Sequence, residues 1–328
     1  MQRLNEDDIH IVHNVTSEMW DQLRELVRTM DDWTSHDEAM YQMLPELKNV
    51  YPLFALRKSD KYLLGGLAVV VTDVVYCAFY IMRPGVQGKG IGLKMMNQIM
   101  HMMSDHTKKV PVVGRSVSSM LDKYTGPPLY AVHLFELYSF TLPKKELLHI
   151  FPCSVNSLAP KSTKELNAEQ FEKVCAYDQH ITGRDRRAFL KDWHSLFFTK
   201  ERERKPKLLG VALFDAAGTV HGLIGASPLL YDGKIFKIGP IFAASRDNAC
   251  YLLKCITDII QVPDAKFVTH ISTNTSGDWM LKKCRDANIP LTLTGTSLNP
   301  TYTKLIYKDP CVTELMFAPM NTPIFFDR

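Results

Sequence analysis

The sequence has no apolar stretch long enough to cross a membrane as a helix. Its longest apolar run, Leu63 to Val71, covers roughly half of the required length, and Asp73 follows it closely. The first residues, 5–8, are acidic and polar, unlike the basic and apolar start of a signal peptide. These absences exclude a membrane anchor of that kind. We expect a cytoplasmic protein that does not act on a membrane.

Cysteine patterns that bind metals or form a disulfide framework are also missing. The seven cysteines are widely spaced and odd in number, with no Cys-x-x-Cys pair and no Cys/His cluster at zinc spacing. We therefore expect free thiols in a reducing compartment and no bound metal.

A strong charge of either sign is absent as well. The 39 lysines and arginines exceed the 35 aspartates and glutamates only slightly, which gives a net charge of +4. The one dense basic stretch, 200–205, contains two glutamates and is followed by Pro206, which is typical of a solvated linker. No nucleic-acid partner is expected, whereas a small anionic ligand is compatible with this charge.

The sequence does contain an internal repeat: the same order of predicted helices and strands occurs in both halves. The 328 residues are enough for two domains. In each half, helices precede three β-rich segments, and a helix, a strand, a further helix and more strands follow. We predict an α+β protein with two domains, 1–155 and 156–328, whose junction is bracketed by 143–145 and 160–164.

The strongest functional signal is a glycine-rich loop after the third β-rich segment. Residues 83–92 read RPGVQGKGIG, and a helix is predicted to begin at Ile91. Glycines let the backbone approach a ligand closely, and the N–H groups of a helix start favour a pyrophosphate. Lys89 adds positive charge. The P-loop string does not occur in the chain, and Gly-x-Gly-x-Gly differs from the dinucleotide fingerprint Gly-x-Gly-x-x-Gly.

The corresponding turn of the second half lacks these glycines. Residues 239–247 keep only Gly239, and Ser245 or Asp247 can cap the following helix with its own side chain. A capping carboxylate would also repel a phosphate. We therefore expect a competent cofactor loop in the first half only.

The loop resembles the central motif of the GNAT superfamily of N-acetyltransferases, Gln/Arg-x-x-Gly-x-Gly/Ala, with Gln87, Gly90 and Gly92 at the fixed positions. The resemblance implies two mixed, mostly antiparallel sheets flanked by helices. It implies that the main chain at Tyr80, Ile81 and Met82 contacts the pantetheine and the acetyl carbonyl. It also implies that the pyrophosphate of acetyl-CoA is held by the main-chain amides of Gln87, Gly88, Lys89, Gly90, Ile91 and Gly92.

The second half is similar to YitH/HolE-type acetyltransferase domains. The resemblance rests on Asp178, the segments 183–186 and 189–190, and the segment 238–243 before a helix. Nearly the whole chain therefore resembles a tandem protein in which a second GNAT-like domain follows the first.

The resemblance also implies an acid that protonates the departing thiolate. Tyr124, followed by Thr125 and Gly126, is nearest to the tyrosine that family members use, although an ordinary packing role is the alternative.

A protonated alkylamine must lose a proton before it attacks a thioester. Asp73 is the first candidate base, with a polar hairpin residue as the alternative, and His133 and Glu136 are further candidates. The pair Asp185 and Arg186 either lines the acceptor site or forms a local helix cap.

Together these features predict an acetyl-CoA-dependent N-acetyltransferase that acts on a small amine by direct transfer. A cysteine acyl-enzyme is disfavoured, because no cysteine lies in the loop or beside a clear histidine partner. Two alternatives stay open: a protein N-terminus or lysine as the acceptor, and a non-catalytic acyl-CoA-binding sensor or scaffold. The oligomeric state is not determined.

Overall fold

A computed structural model describes residues 8–30, 38–127, 129–154, 157–191, 209–229, 233–301, 304–322 and 325–328. Within these ranges the strands form one 13-stranded sheet, in the order β1-β2-β3-β4-β5-β12-β6-β11-β10-β9-β8-β7, with β13 beside β10. No helix in the described ranges is long and apolar enough to cross a membrane.

Elements of the first half follow the predicted order. They are β1 (Ile9–Val12), α1 (Ser17–Arg28), α2 (Glu38–Met43), β2 (Val50–Arg57), β3 (Leu63–Val71), β4 (Val75–Met82), α3 (Ile91–Met102), α4 (Ser104–Thr107), β5 (Val112–Ser116), α5 (Leu121–Thr125), β6 (Val132–Pro143) and α6 (Lys144–Ile150).

The second half repeats this order. Its elements are β7 (Ala159–Ser162), α7 (Ala168–Thr182), β8 (Leu209–Phe214), β9 (Val220–Pro228), β10 (Ile235–Ala243), α8 (Arg246–Ile259), β11 (Lys266–Ser272), α9 (Asp278–Asp286), β12 (Thr292–Asn299) and β13 (Met316–Ala318). The sequence pattern predicts a helix over 186–197. Residues 187–191 are helical, and 192–197 lie outside the described residues.

The predicted α+β class with two similar halves is confirmed. Among the described strands, only β4 with β5 and β10 with β11 are parallel. Helices cover both faces of each half. In the first half, Leu23 of α1 packs with Phe54 and Phe79 on one face, and Met95 and Ile99 of α3 pack on the other.

The sequence pattern also predicts a helix over 36–48, and it places Leu93 on the buried face of the helix that begins at Ile91. The predicted helix 36–48 is helical over Glu38–Met43 and continues as a 3-10 turn at Leu44–Glu46, which contains a proline. Leu93 was assigned to the buried face of α3 but is 58% exposed, whereas Met95 is buried. Leu93 stands in the first turn of α3, on the rim of the cleft described below.

The two halves exchange strands at the centre of the sheet. β6 from the first half pairs antiparallel with β11, from Pro143 opposite Lys266 to Leu137 opposite Ser272. β12 from the second half lies between β5 and β6 and is antiparallel to both. The last long strand of each half therefore completes the sheet of the other half.

The hydrophobic cores follow this exchange. Phe140 and Leu142 of β6 and Leu147 of α6 belong to the buried cluster around β8 to β11 and α8. Lys144 begins a helix at one side of the predicted junction, which 143–145 and 160–164 bracket. Burial of its apolar face against the second half explains why this segment folds as a helix.

Candidate functional site

β4 and β5 are paired only at their beginnings. The last pair of the ladder is Cys77 opposite Gly114. Ala78 follows as the additional residue of a bulge against β3. From Ala78 to Met82 the edge of β4 faces a cleft of about 450 Å³ instead of a neighbouring strand. Strand edges of this kind present backbone N–H and C=O groups to a ligand.

The glycine-rich loop forms the open end of this cleft. Gly88 and Gly90 have φ angles of 77° and 78°, a region that residues with a Cβ atom disfavour. A Cβ atom at either position would meet no heavy atom within 4 Å, so this side of the loop is open. Glycine suits positions 88 and 90 because the backbone is left-handed there and lies beside open space.

The loop leads into the N-terminus of α3 without a side-chain cap. Gly90 is the N-cap residue and has no side chain to accept a hydrogen bond. The first N–H that reaches back along the helix is that of Lys94, which donates to the Gly90 carbonyl at 3.0 Å. The preceding amides have no intrahelical acceptor, and together with the helix dipole they suit an anionic ligand.

The other two fixed positions of the motif hold the loop in place. The side-chain amide of Gln87 donates to the Met82 carbonyl at 3.0 Å, which closes the turn after β4. A Cβ atom at Gly92 would lie 2.6 Å from the Tyr80 hydroxyl, so a larger residue here would displace the Tyr80 side chain. The three motif residues therefore have three different physical roles.

The described lining of the cleft is positively charged. It contains Lys89, Arg115 and Lys123, and no described lining residue is an aspartate, a glutamate or a histidine. Sequence reasoning found Lys89 but missed Arg115, which lies on β5, and Lys123, which lies on α5. The only signal in the sequence that could have pointed to Lys123 is its position next to the candidate acid Tyr124. A cleft with this charge suits a ligand with several phosphates.

Three groups that can carry a proton meet at the closed end of the cleft: Cys77, Tyr80 and Tyr124. Burial raises the pKa of Tyr124, and the neighbouring Tyr80 and Cys77 raise it further. Burial also raises the pKa of Tyr80 and brings that of the Cys77 thiol to about 12. All three groups therefore hold their protons near neutral pH.

Asp73 does not line this cleft. It precedes β4, at the opposite end of the strand from the loop, and strands rise about 3.3 Å per residue. Its carboxylate lies 2.7 Å from Nε of Arg184, a side chain that is only 4% exposed. The catalytic role of Asp73 stays a prediction, and the geometry favours an ion pair that links the two halves.

The other candidate acid–base residues are also outside the described cleft lining. His133 and Glu136 stand on β6, which is separated from β5 by β12. Asp185 accepts a hydrogen bond from the backbone N–H of Arg187, as the local helix-cap interpretation requires. Arg186 turns away from Asp185 and forms a fully buried ion pair with Asp178.

The equivalent cleft of the second half is filled by the chain itself. β10 pairs with β11 only as far as Ile238 opposite Thr269. Beyond that point β13 lies against β10, with Ala318 opposite Ile241. At the start of α8 the Ser245 hydroxyl accepts a hydrogen bond from the Asn248 N–H at 3.2 Å. Both the edge of β10 and the helix N-terminus are therefore occupied.

No group of three or more His, Cys, Asp or Glu side chains within the described ranges is placed to hold a metal ion. The seven cysteines all carry free thiols.

Comparisons with known proteins give distant relatives. No protein-family model matches the chain. It is 25% identical over 293 residues to an uncharacterised protein of Caenorhabditis elegans, a match that covers 86% of this chain and 87% of that protein. It is 27% identical over 123 residues to holothin acyltransferase of a Pseudoalteromonas species, over 38% of this chain and 37% of that protein.

Solved structures share the fold over nearly the whole chain. A tandem GNAT protein from the clavulanic acid biosynthesis pathway has a TM-score of 0.64 at 11% identity and covers 89% of this chain and 98% of its own. A protein of Pyrococcus horikoshii described as a candidate acetyltransferase has a TM-score of 0.63 at 14% identity, over 98% and 97%. The predicted resemblance to tandem GNAT proteins is confirmed at the level of the fold.

Proposed function

We propose that this chain, whose fold is that of tandem GNAT proteins, is an N-acyltransferase. It takes its acyl group from a coenzyme A thioester, with acetyl-CoA as the simplest donor, and passes it to a small amine. The first half binds the thioester, and the second half completes the sheet on which the cleft is built.

One observation carries this proposal: an uncapped helix N-terminus and a divergent strand edge open into the same cleft. The amides that follow Gly90 suit the pyrophosphate, and the edge of β4 from Ala78 to Met82 suits the amide groups of the pantetheine arm. Lys89 and Lys123 supply positive charge that suits a ligand with several phosphates, and Arg115, which is paired with Asp327, lines the same cleft.

The chemistry follows from this placement. The lone pair of the neutral amine forms a bond to the thioester carbon while the carbon–sulfur bond breaks. Backbone N–H groups of β4 stabilise the negative charge that develops on the carbonyl oxygen. The departing thiolate takes a proton from the Tyr124 hydroxyl, which burial keeps protonated near neutral pH. The nitrogen gives up one proton as it becomes an amide, and this proton restores the Tyr124 hydroxyl, so that CoA leaves as the thiol.

A covalent intermediate on the enzyme is not part of this mechanism. Cys77 lies at the closed end of the cleft. Sequence reasoning did not identify this cysteine as a residue of the site. A thiol whose pKa is about 12 is a poor nucleophile near neutral pH, because the thiolate is the reactive form. Direct attack by the amine therefore fits the site better than transfer through Cys77.

A second function is favoured by one observation. The described cleft lining supplies no carboxylate and no imidazole, which are the usual acceptors for the proton of the amine. A protein that binds acyl-CoA without turnover, as a sensor or scaffold, would have no need for such a base. Release of the CoA thiol in the presence of an amine panel distinguishes the two functions, since the sensor releases none.

Thermal unfolding with CoA tests the binding site itself. Gly90→Glu places a carboxylate at the helix N-terminus, and we expect it to abolish the rise in Tm that CoA causes. Gly218→Glu is the matched control, because Gly218 has the same φ of 78° but lies in the turn between β8 and β9. Equal stabilisation of both variants by CoA would refute the loop as the binding site.

A further inference from the structure

A second cavity of about 70 Å³ adjoins the closed end of the cleft. The cleft and the cavity share Cys77, Tyr80, Arg115 and Tyr124 in their linings. The shared residues include Cys77, where the pairing of β4 with β5 ends. A thioester whose pyrophosphate lies at the loop directs its acyl group towards this end of the cleft, so the cavity lies in line with the acyl chain.

The floor of the cavity is one row of residues across three strands. Gly114 of β5 lies opposite Cys77 of β4 on one side and opposite Leu298 of β12 on the other. Residues in such a row point to the same face of the sheet. The middle position carries no side chain, and this missing side chain leaves space above the sheet.

The walls of the cavity are mostly apolar. Met96 of α3 lies on one side, and Val113, Leu129, Ala131 and Pro300 complete the lining. The polar groups are those at the shared mouth: the two tyrosine hydroxyls, the thiol and Arg115. Since no described lining residue is acidic, the cavity does not suit a protonated amine, and its apolar depth suits a hydrocarbon chain.

We propose that the donor carries an acyl chain longer than acetyl, of about four to six carbons, and that this cavity holds the chain. The proposal rests on the function proposed above and specifies its donor. A water-sized group needs about 10–15 Å³ of cavity volume. A cavity of about 70 Å³ therefore has room for roughly five methylene-sized groups. An acetyl group would fill only one of them.

The first test compares acetyl-, butanoyl-, hexanoyl- and decanoyl-CoA with one amine acceptor. We expect kcat/KM to rise about fourfold for each methylene group up to hexanoyl, which corresponds to about 0.8 kcal/mol per buried methylene, and to fall for decanoyl. The stabilisation of the protein by each thioester, measured as the rise in Tm, should follow the same order and does not depend on turnover.

The second test fills the cavity. Gly114→Val adds a side chain at the middle of the floor, and a Cβ atom there would make only ordinary contacts, 3.8 Å from the Cys77 Cβ atom. We expect the ratio of hexanoyl to acetyl kcat/KM to fall at least about tenfold, as the loss of two or more buried methylene groups requires. The exposed Gly233, with no atom within 4 Å of its Cβ position, provides the control Gly233→Val, which should keep the wild-type ratio.

The outcomes separate this inference from the function on which it rests. A preference for acetyl-CoA in both turnover and stabilisation overturns the longer donor and leaves the acyltransferase proposal intact. An unchanged chain-length ratio in a folded Gly114→Val protein also overturns the cavity assignment. Failure of every CoA thioester to raise the Tm overturns the proposed function itself.

Discussion

The guanidinium group of Arg115 lies 3.3 Å from the carboxylate of Asp327. Arg115 belongs to β5 and lines the cleft, whereas Asp327 is fully buried and lies beyond β13. The same carboxylate accepts hydrogen bonds from the backbone N–H groups of Met320 and Asn321. β13 therefore fills the cleft of the second half, and Asp327 supports a wall of the cleft in the first half through Arg115.

Removal of one partner of the Arg115–Asp327 ion pair should destabilise the folded protein. We expect Asp327→Ala to lower the free energy of unfolding by about 3–5 kcal/mol, because it leaves the guanidinium of Arg115, only 13% exposed, without its counter-charge. Asp286→Ala is the control, since Asp286 pairs with Lys282 on an exposed helix face and should cost about 0.5 kcal/mol or less. Urea unfolding measures both changes, and similar values for the two variants would contradict this role of Asp327.

The filled second cleft predicts the stoichiometry of binding. Because β13 occupies the edge of β10 and Ser245 caps α8, isothermal titration should give one CoA molecule bound per chain. The Gly90→Glu protein should bind none. Two bound molecules per chain, or residual binding of one molecule by that variant, would show that the second half also takes the ligand.

Tyr124→Phe tests the acid that protonates the leaving thiolate. Loss of a positioned general acid lowers kcat by about 10²–10⁴-fold, whereas KM for the thioester should change little. Tyr130→Phe is the control, because Tyr130 is 58% exposed and is not among the lining residues of the cleft. A full rate in the Tyr124→Phe protein would instead assign this tyrosine to packing.

The pH dependence of the reaction follows from the groups at the cleft. An alkylamine with a pKa near 10.4 is mostly protonated at neutral pH, so kcat/KM should rise about tenfold per pH unit from pH 6 to pH 9. The raised pKa of Tyr124 keeps its hydroxyl protonated over this range, so the acid adds no falling limb. A plateau or a fall near neutral pH would instead indicate a titrating base on the enzyme.

The sequence was informative wherever function depends on neighbouring residues. The spacing of Gln87, Gly90 and Gly92 predicted the loop, and the structure assigns each of them a local role: a turn closed by a side chain, a left-handed helix cap and a close contact between a helix and a strand. Turn conformation and helix capping act within a few residues, which is why the order of residues suffices to predict them.

The candidate base was predicted from position along the chain, and this reasoning has a physical limit. Asp73 is close to the loop in sequence, but β4 is extended and separates the two ends. Arg184, the partner of Asp73, comes from the other half of the chain. Charge and spacing in the sequence do not indicate such a partner.

The amino-acid order alone thus determined the repeated α+β pattern and the glycine-rich turn at residues 87–92. Only the tertiary structure decided that β12 crosses to the first half, so that Leu298 lies beside Gly114, and that β13 fills the second cleft. Hydrophobic alternation shows that a strand is present and which face it buries, but strands of similar composition satisfy it with several neighbours. The choice among those neighbours depends on the packing of the whole sheet, because contacts distant in the chain form only when the complete core closes.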